Sequence, residues 1–392
     1  MSFPFEEAQS AMRLAALDGW LMWLLHDGNP IAERLLQRPA GQMRSRRAYY
    51  WIPAKGHPVR LEHRIEHHTL DGLPGECRHY LSHESHVEEL AALTAGAKRI
   101  AMETSPMAAL PALSLVDAGT VDLLRSLGLE VCSSANLVQA VQPRLTAVQL
   151  DSHLRAAALV RDIALATVEH VAQALAMGAR PTEVEAQEFI LAAFAQAGLE
   201  TDHAPIVAVG AHAGNPHHEP RAGHVIERDQ VLLIDLWARF PEEGAVYADQ
   251  TWMAFTGSQP PQELQEAWRL VRDARRAVPR LVAERMAQGL PVMGWEADIA
   301  ARAVIQAAGQ GDAFLHRTGH SIDTEVHGRG ANLDGLETRD ERLLLPGSVM
   351  SVEPGLYYPH FGVRSENNLV ITSEGLVLVA EGTDQEDLLL MA

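Results

Sequence analysis

Residues 231–255 read VLLIDLWARFPEEGAVYADQTWMAF, and the fold turns on how they are read. The apolar run Val231-Leu232-Leu233-Ile234 ends on a carboxylate, Asp235, so burying the run leaves Asp235 at the rim of a core. Pro241 and Gly244 are residue types that suit a tight reversal. The chain then returns through Val246 and Tyr247 to a second carboxylate, Asp249. The pattern predicts a hairpin that sets two aspartates side by side. Neighbouring anions repel strongly where water is scarce, and a cation between them lets both stay ionised.

Residues 349–372, VMSVEPGLYYPHFGVRSENNLVIT, mirror the first stretch. An apolar strand ends on Glu353, Pro354-Gly355 follows, the chain turns near His360 to Gly362, and it returns to Glu366. Between the hairpins lie His316-Arg317-Thr318-Gly319-His320 and Val326-His327. Four carboxylates and a histidine on neighbouring strands make an oxygen-rich site with one imidazole. Such a ligand set suits two divalent ions of the harder kind, Mn first, with Co or Zn admissible.

Helical periodicity precedes each hairpin. Residues 151–177 and 182–197 predict two helices, with Pro181 suited to open the second, and 203–209 predicts a strand. Residues 262–288, with a bend expected at Pro279, and 295–308 repeat the helix pair. Two helices, strands and an acidic hairpin thus occur twice, which predicts a pseudo-symmetric domain with the metals between its halves.

A separate unit is expected upstream, with the boundary near Gln142-Pro143-Arg144-Leu145-Thr146 and the domains at 1–145 and 146–392. A helical pattern at 12–17, strands at 19–25, 44–53 and 98–102, a helix at 120–127 and a strand at 129–132 alternate as in an α/β domain. His57, His63, His67, His68, His79, His83 and His86 crowd one segment of it. Their spacing fits no closed zinc pattern, so the segment is expected to be a solvated, partly irregular surface.

The chain has 392 residues, 47% hydrophobic and 21% charged, as in ordinary globular proteins. Its net charge of -19 argues against a nucleic-acid partner. Cys77 and Cys132 are too few for a disulfide framework and are expected as buried free thiols. The first residues lack a basic segment followed by an apolar one, and no run reaches membrane-spanning length. A cytoplasmic location without a membrane partner is the expectation.

Five motifs, in order and with compatible spacing, carry a family resemblance. They are Ile234-Asp235-Leu236, Tyr247-Ala248-Asp249-Gln250-Thr251, Thr318-Gly319-His320, Val352-Glu353-Pro354-Gly355-Leu356-Tyr357 and Val363-Arg364-Ser365-Glu366-Asn367. Residues 150–390 resemble the catalytic domain of the pita-bread metallopeptidases (family M24), which include Xaa-Pro dipeptidases (prolidases), aminopeptidase P and methionine aminopeptidases. The first 145 residues are more loosely similar to the creatinase-like N-terminal domain of the proline-specific members, which methionine aminopeptidases lack. The resemblance implies an α+β fold, a pseudo-symmetric pita-bread domain behind a smaller α/β domain, and a homodimer. It implies that Asp249 and Glu366 bridge two metals, that Asp235 completes one and that His320 with Glu353 completes the other. A hydroxide between the metals would be the nucleophile. His217, in Asn215-Pro216-His217-His218, and His327, seven residues after His320, match histidines that donate hydrogen bonds to substrate or intermediate. His316 would line the pocket. The sequence departs from the family in a first hairpin tip, 238–245, a few residues longer than expected, and in His218 where tyrosine is common.

A dipeptidase must hold the free carboxylate of its two-residue substrate, and an arginine does this best. Arg339 lies fourteen residues before Glu353, where prolidases have an arginine in that role; Arg329, Arg342 and Arg364 are its rivals. The expected function is a metal-dependent Xaa-Pro dipeptidase acting on small peptides. Aminopeptidase P is the alternative, and a non-catalytic binding module of the same fold comes third.

Overall fold

In the computed structural model, the stretch 231–255 forms two antiparallel strands, Val231–Ala238 and Ala248–Phe255. Their register sets Asp235 opposite Thr251 and Asp249 opposite Trp237. Side chains alternate along a strand, so Asp235, Thr251 and Asp249 share one face. The aspartates are therefore diagonal neighbours with a threonine beside them. The second acidic stretch is also a hairpin, but an interrupted one. Ser348–Val352 pairs with Asn367–Ile371, and Gly355–Tyr357 pairs with Gly362–Arg364 in the same register. Glu353 and Glu366 face each other at the break, where only Ser365 N to the Pro354 carbonyl, 3.2 Å, links the two arms.

The structure describes residues 3–38, 44–141 and 144–391. It divides into two units, Met1–Pro143 and Arg144–Ala392. Gln142 and Pro143, in the expected boundary, lie outside the described residues, as do Met1 and Ser2 of the stretch inspected for a targeting signal. Among the described residues no helix is long and apolar enough to cross a membrane.

In the larger unit the long helix Ala147–Ala176 starts at a capping box in which Thr146 and Gln149 satisfy each other's backbone N–H groups. Glu183–Ala197 starts the same way, with Thr182 and Glu185, and stops at Gly198 in the left-handed region. Pro181 therefore precedes the cap instead of opening the helix, because the reciprocal Thr182–Glu185 bonds fix the start at Glu183. This helix pair covers a sheet ordered Leu389–Leu390, Ala248–Phe255, Val231–Ala238, Ile206–Val209. Val160, Val171, Ile190, Phe194, Leu232 and Ile234 fill the layer between. The second pair, Gln262–Ala287 and Gly294–Ala307, packs through Trp268, Val271, Val278, Ala301 and Ile305 on Val352, Val363 and Leu369. The first of these helices continues through Pro279. The second sheet is ordered Ser321–Ile322, Ser348–Val352, Asn367–Ile371, Val377–Val379. The halves meet where the Asn368 side chain donates to the Asp249 carbonyl at 2.7 Å and accepts from the Asp249 N–H at 3.0 Å.

The smaller unit is a six-stranded mixed sheet ordered Glu76–Tyr80, Val59–His63, Ala48–Pro53, Gly19–Leu24, Arg99–Met102, Glu130–Ser133. Trp20, Tyr50 and Ile52 fill one face and Leu21, Tyr49 and Trp51 the other, so the central strands are buried throughout. The first helix is Phe5–Leu14, earlier than the pattern at 12–17 suggests, and it ends before Ala16, which takes a positive φ of 52°. The histidine-rich segment is partly irregular, as expected: His57 lies in a loop and His67 and His68 in turns, while the rest belongs to two of the strands and to the helix His83–Leu93. His63 and His86 are buried, His86 against the Tyr49 hydroxyl at 2.9 Å, while the other five rings are exposed. His63 closes a strand whose last three residues are all buried, and His86 sits on the inner face of the helix, so these two are inside for different reasons. Cys77 and Cys132 are free and half-buried, not buried.

Candidate metal centre

The two hairpins and the loop ahead of Ser321 converge. The Asp249 carboxylate lies 3.4 Å from His320 Nε2, and Glu353 Oε1 lies 3.5 Å from the same nitrogen. Asp249, His320 and Glu366 each offer a ligand atom within 4.8 Å of the others. Asp235 is held by the Arg364 guanidinium.

A layer of hydrogen bonds fixes these groups. His320 Nδ1 lies 3.0 Å from the Ser321 carbonyl, which can only accept. Nδ1 thus carries the proton, and Nε2 presents its lone pair to the cluster. The Ser351 hydroxyl accepts from the His320 N–H at 2.9 Å and donates to Glu353 at 3.1 Å. Thr251 Oγ1 donates to Glu366 at 2.7 Å and accepts from Arg364 Nε at 2.9 Å. Behind Thr318, the buried Asp298 accepts from its N–H and its hydroxyl. Gly319 is required here, because a Cβ would sit 2.0 Å from the Ser351 carbonyl oxygen.

The charges do not balance without a cation. Burial, with Asp249 and Glu353 beside it, pushes Asp235 up to about 7 although Arg364 opposes the rise. Burial and the neighbouring carboxylates push Glu366 well above the carboxylate range. Burial would raise Glu353 too, but His320, His316 and Arg364 outweigh it and hold it low. Burial lowers His320, yet Asp249 and Glu353 more than restore it. Four carboxylates face the positive charge of Arg364 and a single imidazole, so the cluster keeps protons it would release to a metal. The donor set fits divalent cations.

Comparison with known proteins agrees with this geometry. Residues 152–373 match metallopeptidase family M24. The chain belongs to this family. It is 31% identical over 178 residues to a Lactobacillus delbrueckii protein named Xaa-Pro dipeptidase, a match covering 45% of this chain and 44% of that one. It is 34% identical over 171 residues to an uncharacterized peptidase, YqhT, of Bacillus subtilis, covering 43% and 44%. The chain thus spans under half the length of these curated relatives. Its fold is similar to the crystal structure of dipeptidase PepE from Mycobacterium ulcerans, with a TM-score of 0.65 and 24% identity, covering 99% of this chain and 96% of that one. The M24 fold is the α+β pita-bread fold, and the duplicated helix pairs and hairpins are its two halves.

Of the other candidate residues in this M24 chain, His316 and His327 adjoin the cluster. His316 Nδ1 donates to the Arg317 carbonyl at 2.7 Å, and its Nε2 lies 2.7 Å from the Tyr357 hydroxyl. That hydroxyl also accepts from Arg364 at 3.2 Å, so His316 is wired to the arginine that holds Asp235. Burial pushes the His316 ring down. The His327 ring centroid is 4.5 Å from that of His320, with its outer side exposed. Partial burial and His320 push His327 down, so the ring is neutral near pH 7. His217 is exposed on the loop after Gly210–Gly214, and its N–H donates to Asn215. Arg339 is 62% exposed, 3.1 Å from Glu341 and stacked 4.3 Å above the Trp295 ring. No hydrogen bond among the described residues ties either of these two to the five clustered side chains. The supporting roles of Thr251, Ser351, Tyr357 and Asn368 were not read from sequence, although all four lie in or beside the quoted motifs.

Proposed function

We propose that this chain is a metal-dependent Xaa-Pro dipeptidase. The observation that carries the reading is the excess of buried carboxylate over positive charge at Asp235, Asp249, Glu353 and Glu366, set around the Nε2 lone pair of His320 within the M24 region. The relative named Xaa-Pro dipeptidase supports the substrate class. In this reading Asp249 and Glu366 would serve both of two divalent ions, Mn first and Co or Zn next, Asp235 would serve one of them, and His320 with Glu353 the other. Such ions, when bound, make water nucleophilic near neutral pH and polarise the scissile carbonyl. The chain supplies the rest. Arg364, Thr251 and Ser351 hold the carboxylates in place. His327, neutral at its exposed edge, offers an N–H to the developing oxyanion. His217, carried on a loop, supplies a second donor to the bound peptide.

Arg339 would take the substrate carboxylate. With its side chain 62% exposed, that pair is screened by water, and its worth is about 1 kcal/mol or less, about fivefold in KM. The same exposure leaves room for a longer peptide, which keeps removal of an N-terminal residue from X-Pro peptides as the second reading. The test compares Ala-Pro with Ala-Pro-Ala, using wild type and Arg339→Ala, before chelation, after it, and after reloading with Mn, Co or Zn. The dipeptidase reading expects metal-dependent cleavage that favours Ala-Pro, with the preference reduced by Arg339→Ala. Preference for the tripeptide transfers the assignment to an aminopeptidase, and full activity after thorough demetallation removes both.

A further inference from the structure

A second cluster, sharing no residue with the first, stands in the same unit. Glu183 is the first residue of its helix and is fully buried. Its Oε1 accepts from the Val209 N–H at 2.9 Å and faces His212 Nδ1 at 2.8 Å. Its Oε2 faces His218 Nε2 and His224 Nδ1, each at 2.8 Å. The three histidines are evenly spaced, six residues apart, along one loop. Their rings pack together, with centroids 4.6 Å apart for His212 and His218 and 4.2 Å for His212 and His224. One ligand atom from each of the four residues lies within 4.8 Å of the others.

We propose that Glu183, His212, His218 and His224 form a separate site for one divalent transition-metal ion. A carboxylate anchoring a loop needs one or two donors. Here three imidazoles turn a nitrogen inward to the same buried oxygens and stack on one another. In the neutral tautomers each inward nitrogen can give its one N–H to Glu183; with that proton on the outer nitrogen, the same three nitrogens turn lone pairs to one ion that the carboxylate also binds. The Val209 N–H and the three rings fix both oxygens of the Glu183 carboxylate at the centre of the cluster. Three nitrogens and one oxygen are the borderline donors that favour Zn, Co, Ni or Cu over Mn, the opposite of the oxygen-rich centre. Four ligands at 2.0–2.1 Å sit roughly 3.3 Å apart around a tetrahedral ion, so the present 2.8 Å contacts must open by about half an ångström. His212 and His224, with side chains 38% and 28% exposed, can move by that amount. The Val209 N–H meanwhile keeps Glu183 oriented, the usual task of a partner just outside the ligands. The ion would pin the loop that carries His217 between two of its ligands.

The test counts ions and reads their ligands, independently of hydrolysis. Full-length wild type, Asp249→Asn and His212→Asn/His224→Asn are stripped with chelator and titrated with Zn by equilibrium dialysis, then with Cu(II) for electron paramagnetic resonance. Wild type is expected to hold one more tight Zn per chain than the double variant, whose affinity at this site falls about a hundredfold or more. Asp249→Asn is expected to retain a Cu(II) signal split by several nitrogens, a signal absent from the double variant. If the double variant does not fold by circular dichroism, His224→Gln alone takes its place. Equal zinc content and affinity in wild type and variant, or a nitrogen pattern that survives the histidine changes, overturns the site. A missing peptidase activity leaves the ion count unaffected, so failure of the dipeptidase reading and failure of this site are told apart.

Discussion

Stripping the metal should reverse how the protein responds to pH. Asp235 ionises near 3.8 when free of its surroundings and at about 7 in the metal-free fold. The folded state therefore holds this proton more tightly than the unfolded chain does. The stability it confers is complete below the unfolded value and is lost as pH rises toward 7. An interval of about three pH units converts to roughly 4 kcal/mol, a large share of the 5–15 kcal/mol that typically holds a domain together. Glu366 is shifted in the same direction and adds to the loss, whereas Glu353, held low, works weakly the other way. With cations bound, the carboxylates are ionised at every pH where the ions stay, and the loss vanishes. Scanning calorimetry of chelated and Mn-loaded protein between about pH 5 and pH 8 reads the difference between the two forms. The chelated form should lose stability across that range relative to the loaded one. Calorimetric titration with Mn in buffers of different ionisation enthalpy should show more protons released at about pH 6 than at about pH 8.5. Parallel stability curves together with equal proton release would refute the charge imbalance on which the metal assignment rests.

Other substitutions test individual residues. Asp249→Asn keeps the size of the side chain but removes a shared charge; it should lose at least one metal and lower activity on the order of a hundredfold, read by elemental analysis and Ala-Pro hydrolysis. His320→Ala should lose metal, whereas His327→Ala should keep it and lower kcat on the order of a hundredfold; indistinguishable effects would erase the difference in their roles. Gly319→Ala drives a Cβ into the Ser351 carbonyl, two backbone segments that cannot both yield, and should cost about 3 kcal/mol in thermal unfolding; an unchanged Tm would show that the loop relaxes freely.

The centre was legible in sequence because each acid lies within or beside an apolar strand, and a strand that must be buried fixes where its residues point. The hairpin at 231–255 thus emerges with Asp235 and Asp249 on one face. The diagonal offset between them, and the break that sets Glu353 opposite Glu366, depend on register, which the pattern alone leaves open. Arg364 was visible as part of a motif, but its grip on Asp235 needs the two hairpins to meet in space. Arg339 was placed by its distance along the chain, and exposure is a property that distance along the chain does not carry. The Glu183 cluster stayed hidden for a related reason. Its histidines are near one another in sequence, but the carboxylate that gathers them lies on a helix 29 residues or more away.

Asn368 gives the Asp249 backbone the donor and the acceptor that a further strand would have given, and does so with a single side chain. The joint is thus made partly of backbone groups, which every sequence carries, and partly of side chains that must match, Thr251 on Glu366 and Arg364 on Asp235 among them. In a chimera that takes residues 262–391 from a relative, the fit should require that the incoming half bring the asparagine, the arginine and the glutamate at these positions together with apolar side chains that fill the core shared by both halves.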